Sequence, residues 1–139
     1  MSTTLYILPL TILPWLVFNI VGITQGSGPW DTTIFSLGMV SDATWNFTSR
    51  DLMVVFGIIC LFGEILKATN SSSRAIINHA ASMVVFIVYL VEFIVVNFAA
   101  ESVFFILMIL ALFDVVAGFT ITIKTARRDL ALGQPSGGP

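Results

Sequence analysis

VFFILMILALFDVVAGFTITI, residues Val103 to Ile123, is a run of twenty-one residues whose only charge is Asp114. A hydrocarbon core of about 30 Å asks for roughly twenty such residues in a helix. From Phe104 to Phe113 apolar and polar residues do not alternate, so the run is not a strand of a membrane barrel. Backbone groups in lipid must be bonded within their own segment, which leaves a helix.

Three more stretches of the same kind lie upstream. The nearest, 74–100, is separated from the first by a couple of residues around Glu101 and Ser102, so the two spans must be antiparallel neighbours. A third, 51–68, follows the pattern Thr48-Ser49-Arg50-Asp51, a capping Thr with a carboxylate three residues on. The fourth, 5–23, is interrupted by Pro9 and Pro14. Asn70 to Ser73 read as a tight polar turn before the span at 74–100. The expected fold is therefore all-α, an integral membrane four-helix bundle. It occupies residues 1–132, with helices at about 5–23, 51–68, 74–100 and 103–124. The tail 133–139, rich in Gly and Pro, is expected to be flexible.

Composition supports the same class. Of the 139 residues 57% are hydrophobic, 12% aromatic and only 10% charged, with a mean hydropathy of +0.99. Soluble domains carry roughly 25% charged residues, so this chain lacks the charge to cover a water-facing surface. Disordered chains are poor in aliphatic and aromatic residues, which excludes that class. The net charge of −2 gives no basic footprint for nucleic acid. Cys60 is the single cysteine and His79 the single histidine. An intrachain disulfide, a zinc-type ligand set and a bis-histidine haem site are thus all excluded, and no cofactor or metal is expected. The N-terminus lacks a basic region and a small-residue cleavage site, so no cleavable signal peptide is expected.

The basic residues set the expected orientation. Lys67 and Arg74 flank the connection between the second and third spans, while Lys124, Arg127 and Arg128 follow the fourth. An even number of crossings separates the two groups, so five of the six basic residues share one side. The positive-inside bias makes that side cytoplasmic, giving an N-in/C-in topology. Without targeting segments, a bacterial inner (plasma) membrane is the expected location.

The one long connection, 24–49, then lies outside. It carries Trp30, Trp45, Phe35, Phe47 and Met39. Asp31 is placed to cap a short helix from Thr33 to Met39, and the two Trp are expected at the headgroup level. An interfacial segment on the outer leaflet and an ordered loop packed on the bundle both suit this composition. Asn46-Phe47-Thr48 matches the glycosylation pattern, a tripeptide common by chance.

Three carboxylates fall within the spans: Glu64, Glu92 and Asp114. Ionisable groups at such depth are costly, on the order of 2.5 to 3.5 kcal/mol, and mark functional sites by default. At about 1.5 Å rise per residue, Glu64 and Asp114 both lie roughly 20 Å from the outer boundary and Glu92 roughly 12 Å. If two of them met in low dielectric, one would take up a proton. Asp114 shares its helix side with Ala111, Ala117 and Gly118, and Glu64 with Gly57, Cys60 and Ala68. Such small residues let helices approach closely. Glu92 shares its face with Tyr89 and Val85, and more loosely with Ser82 and Asn78.

Each acid also has an ordinary packing role open to it. Glu64 has Lys67 three residues on, a snorkelling pair near the cytoplasmic end. Glu92 is within reach of Asn19, and Asp114 of a Thr, as interhelical hydrogen bonds. His79 is turned away from Glu92 and is expected at the cytoplasmic interface. No nucleophile–base set, glycine-rich phosphate loop or di-iron Glu-x-x-His pair is present, so no enzyme activity is expected.

Phe62-Gly63-Glu64-Ile65-Leu66-Lys67-Ala68-Thr69 and Asp114-Val115-Val116-Ala117-Gly118-Phe119, with the basic end Lys124 to Arg128, resemble uncharacterised small four-span bacterial inner-membrane proteins. The resemblance implies the architecture and carries no activity. Length and span number look like the small multidrug-resistance transporters, but their first-helix Glu has no counterpart here. Claudin-type proteins share the long first loop, yet their two external cysteines are absent.

Two functions suit these features. One is association, as an accessory or scaffold subunit or a homo-oligomer, with the bilayer and other membrane subunits or itself as partners. The other is proton or cation handling by Asp114, Glu92 and Glu64 with Tyr89 and Asn19 beside them. A third, suggested by the aromatic loop and the Pro-containing first span, is lipid or quinone binding.

Overall fold

A computed structural model describes residues 8–68 and 73–132. The start of the first expected span, the turn at 70–72 and the tail 133–139 lie outside the described residues. Four helices are described: α1 (Ile12–Gln25), α2 (Ser49–Ala68), α3 (Ser73–Val95) and α4 (Ser102–Leu132). Between α1 and α2 stand a 3-10 turn (Pro29–Asp31) and two strands, β1 (Thr33–Gly38) and β2 (Thr44–Thr48). A second 3-10 turn, Asn97–Ala99, joins α3 to α4.

The chain reaches α1 through a turn in which Ile12 and Leu13 donate to the carbonyls of Pro9 and Leu10. Pro14 then occupies the first helical turn, where a missing N–H costs nothing and a fixed φ helps. Pro14 therefore belongs to the helix start and does not interrupt the helix. Gly26 ends α1 with φ +72, its N–H donating to Gly22 O at 2.9 Å, a backbone shape that favours glycine. Fourteen residues give α1 a length of only about 21 Å.

Thr48 and Asp51 form a reciprocal cap on α2. The Thr48 N–H and hydroxyl donate to Asp51 Oδ2 at 2.8 and 2.7 Å, and the Asp51 N–H reaches Thr48 Oγ1 at 3.4 Å. α3 stops five residues short of 100. Val96, after the β-branched pair Ile94 and Val95, turns extended at φ −102 and ψ 123, and β-branched residues are weaker helix formers. α4 runs past 124 to Leu132, because Ala126, Arg127, Arg128, Leu130 and Ala131 all favour helix and the first breaker is Gly133.

The connection at 24–49 holds a correction to the all-α expectation. No helix forms over Thr33–Met39; β1 and β2 pair antiparallel as a hairpin, with Phe35 opposite Phe47, Ser36 opposite Asn46 and Leu37 opposite Trp45. Residues two apart share a strand face. One face therefore gathers Phe35, Leu37, Trp45 and Phe47, with ring centroids 4.9–6.2 Å apart. Asp42 adopts φ +61 at the tip, a left-handed shape that Asp tolerates. Asp31 caps nothing and pairs with Arg50 at 2.7 Å.

α4 is the central helix, packed along both α2 and α3, while α1 lies more sparsely against α2 and α4. Its buried face is Val103, Phe104, Leu107, Met108, Ala111, Asp114 and Val115. Over Ile76–Val95 and Ser102–Arg128, α3 and α4 are long and apolar enough to cross a membrane.

Candidate functional site

The carboxylates of α2, α3 and α4 converge on one short piece of chain, residues 8–15 at the start of α1. A helix start leaves backbone N–H groups without partners and carries a partial positive charge, so it is a natural target for acids.

Glu64 projects from the buried face of α2, along with Gly57, Cys60 and Ala68. Its side chain is fully buried and accepts from Lys67 Nζ at 2.8 Å and from Asn78 Nδ2 of α3 at 3.0 Å. It also accepts from the Leu10 backbone N–H. Lys67 Nζ in turn reaches the Leu8 carbonyl at 2.9 Å. Gly63 lies under the tip of the Leu10 side chain, which a Cβ there would meet at 2.8 Å.

One residue further along, Thr11 is buried between α3 and α4. Its hydroxyl donates to Asp114 Oδ2 at 3.2 Å, and its carbonyl accepts from the Tyr89 hydroxyl at 3.0 Å. Asp114 and Glu64 thus grip adjacent residues. One turn on, the Trp15 indole donates to Glu92 Oε2 at 2.5 Å.

The interior arrangement differs from the sequence-based expectation at Asn19. Asn19 does not reach Glu92; its Nδ2 donates to Trp15 O of its own helix at 3.1 Å. His79 is 2% exposed and lies over Gly118, where a Cβ would come within 2.2 Å of Nδ1. Trp30 packs into the bundle rather than standing free on the loop. It is 4% exposed and stacked on Phe18, with centroids 4.8 Å apart and planes 3° from parallel, while Trp45 is exposed on the hairpin.

Lys67 and Asn78, already adjacent to the acids in the sequence reading, join the cluster through Glu64, while Thr11 and Trp15 escaped that reading. A usable signal was present: Thr11, Trp15, Phe18 and Gly22 recur at intervals of four, three and four, the period of one helix face.

No family model, curated protein or solved structure matches this chain. Its chemistry must be read from the site alone. Glu64 is fully engaged: Asn78 ties it to α3 and the Leu10 N–H to the start of α1, while Lys67 lies on its own helix. Several neighbours have polar atoms with no partner among the described residues: both His79 ring nitrogens, Asn78 Oδ1, Ser82 Oγ and Glu92 Oε1. These atoms lie along α3 over about 21 Å of helix. Among the described residues no three His, Cys, Asp or Glu side chains gather as a metal-holding group.

Proposed function

We propose that the chain is a four-span integral membrane protein of the bacterial inner membrane, with both termini cytoplasmic, that acts by association. Only 28% of the apolar window of α3 and 33% of that of α4 is buried. A helix at the core of a soluble protein would be mostly covered. Ile20, Ile23, Phe62, Ile94 and Val95 are each more than 60% exposed, a surface that suits lipid and not water. α2 adds a third crossing once Lys67 is neutralised by Glu64, and α1 a short fourth. The basic residues beyond α2 and near the end of α4 favour placing those ends inside.

The observation that carries the association reading is the uncovered aromatic face of the hairpin. Phe35, Leu37 and Trp45 are each about half exposed, on a strand pair that stands outside the helix packing. A two-stranded hairpin is at best marginal alone, and partner-binding surfaces are rich in such aromatics. The carboxylates, engaged in holding α1, act as packing groups in this reading. Purification of the tagged protein from its native membrane in mild detergent, with mass spectrometry of what accompanies it, tests the reading. A stoichiometric membrane subunit or a defined homo-oligomer, lost on combining Phe35→Ser with Trp45→Ser, is the expected result. A monodisperse, partner-free monomer would contradict it.

Proton or cation handling is a second reading, favoured by the unpartnered polar atoms of His79 and Glu92 on the helix that packs against α4 and its Asp114. It requires flux in proteoliposomes that Asp114→Asn or Glu92→Gln abolishes. Flux no greater than in empty liposomes, under gradients of either direction, would end it.

A further inference from the structure

Polar side chains from three helices surround Leu10 and Thr11. Glu64 of α2 accepts from the Leu10 N–H, and Asp114 of α4 accepts from the Thr11 hydroxyl. Asn78 and Ser82 stand one turn apart on the same side of α3, 3% and 1% exposed. Asn78 Nδ2 donates to Glu64 Oε2 at 3.0 Å. Its Oδ1 therefore lies in the same cluster, buried and without a donor among the described residues. The Ser82 hydroxyl faces the Asp114 carboxylate, yet it makes no hydrogen bond among the described residues.

Charge is left over as well. Glu64 and Asp114 bring two negative charges, and Lys67 supplies one positive charge to Glu64. The start of α1 contributes about half a unit more, which covers only part of the remainder. His79 cannot supply the rest, because an imidazolium needs an acceptor at each nitrogen and both lack one among the described residues. Buried charge without compensation is disfavoured, and so is a buried acceptor without a donor.

We propose that this cluster binds one sodium ion, held by the oxygens of Asp114, Ser82, Asn78 and Thr11. A proton answers the charge but not the oxygens, since it bonds to one atom and is shared with a single acceptor. A water molecule donates to two oxygens but brings no charge. A cation does both. The surplus of one negative charge selects a monovalent ion, and an all-oxygen donor set selects a hard one. The helices meet closely here, with Gly63 under Leu10 and Gly118 under His79, which favours sodium over the larger potassium. The inference deepens the second reading above, on whose acids it rests, by naming its cation.

The test is thermal unfolding of the full chain in mild detergent, in choline chloride with sodium or potassium chloride substituted at constant ionic strength. A ligand that binds only the folded chain raises the midpoint. Sodium should do so saturably, and potassium should need at least ten times the concentration. Asp114→Asn, which keeps the shape and removes the charge, should abolish the response. Ser82→Ala should raise the half-saturating concentration about tenfold, and it carries the test if Asp114→Asn fails to fold. A wild-type midpoint that does not distinguish sodium from potassium or choline would overturn the site, as would a full response in either folded variant. A midpoint that rises as the pH falls but ignores sodium would also overturn it, assigning the charge to a proton and leaving the second reading standing. Saturable sodium binding without flux in proteoliposomes would uphold the site and end the transport reading.

Discussion

At the hairpin end of the bundle Phe18 lies between Trp30 and Phe104, with Tyr89 and Phe93 packed on Phe104 in turn. Two helical turns away on α1, Thr11 sits among Asp114, Tyr89 and the Leu10 contact to Glu64. One helix is thus held by ring packing at one end and by directed polar bonds at the other. Ring packing is insensitive to small rotations and comes apart gradually. The polar end has one correct geometry, because each acid must find its donor in a place with little water. The difference suggests a division of labour in which the rings supply adhesion and the acids fix the register of α1 against three other helices.

The largest effects should come from removing the centre of either end. Phe18→Ala leaves Trp30 and Phe104 without their common partner and should cost about 3–5 kcal/mol, whereas Phe18→Leu should recover part of that. Glu64→Ala leaves Asn78 Nδ2 and the Leu10 N–H without their acceptor and Lys67 without its carboxylate, and breaking a buried ion pair from one side costs a similar 3–5 kcal/mol. Here Glu64→Gln, which retains an acceptor for Leu10, should recover part of the loss while an apolar isostere should not. Thermal unfolding in detergent checks both pairs. Equal recovery by Glu64→Gln and Glu64→Leu would erase the distinction between the two ends.

A smaller effect belongs to the seam of α3 and α4. Gly118→Ala forces the His79 ring, 2.2 Å from the new Cβ, to move, and overpacking of this kind costs typically 1–3 kcal/mol. A double substitution with His79→Ala should restore most of it, and no recovery would show that the ring is not what the glycine accommodates. Smaller still, Thr11→Val or Asp114→Asn should each cost near 0.6 kcal/mol, the average for such bonds in membrane bundles. The two together should cost less than their sum if the bond between them is the cause.

The helical part of this architecture was legible because apolar run length is a strong and local signal. The relative level of the acids along the bundle was legible too: Glu64 and Asp114 grip neighbouring residues and Glu92 one turn on, the order that residue counting implies. What counting cannot supply is azimuth. The acids at equal depth on α2 and α4 gave no sign that their shared target would be α1. The thirteen residues between His79 and Glu92 turn the two apart but do not show that Gly118 of the neighbouring helix makes room for the His79 ring. The hairpin was missed for a different reason. Its strands alternate Phe35-Ser36-Leu37 and Trp45-Asn46-Phe47, the period of two that marks a half-covered sheet, but the aromatic content was read as a sign of the bilayer surface. Trp30 and Trp45 have the same composition signal and opposite fates, since only Trp30 has Phe18 beneath it.

Hydrogen exchange followed by mass spectrometry on the detergent-solubilised protein addresses the central claim, that three acids on three helices hold the start of α1. The comparison is wild type against Glu64→Gln, Glu92→Gln and Asp114→Asn combined. Protection should fall in peptides covering residues 10–25 while those from α4 keep theirs. Unchanged protection in α1, or an even loss across all four helices, would contradict the account.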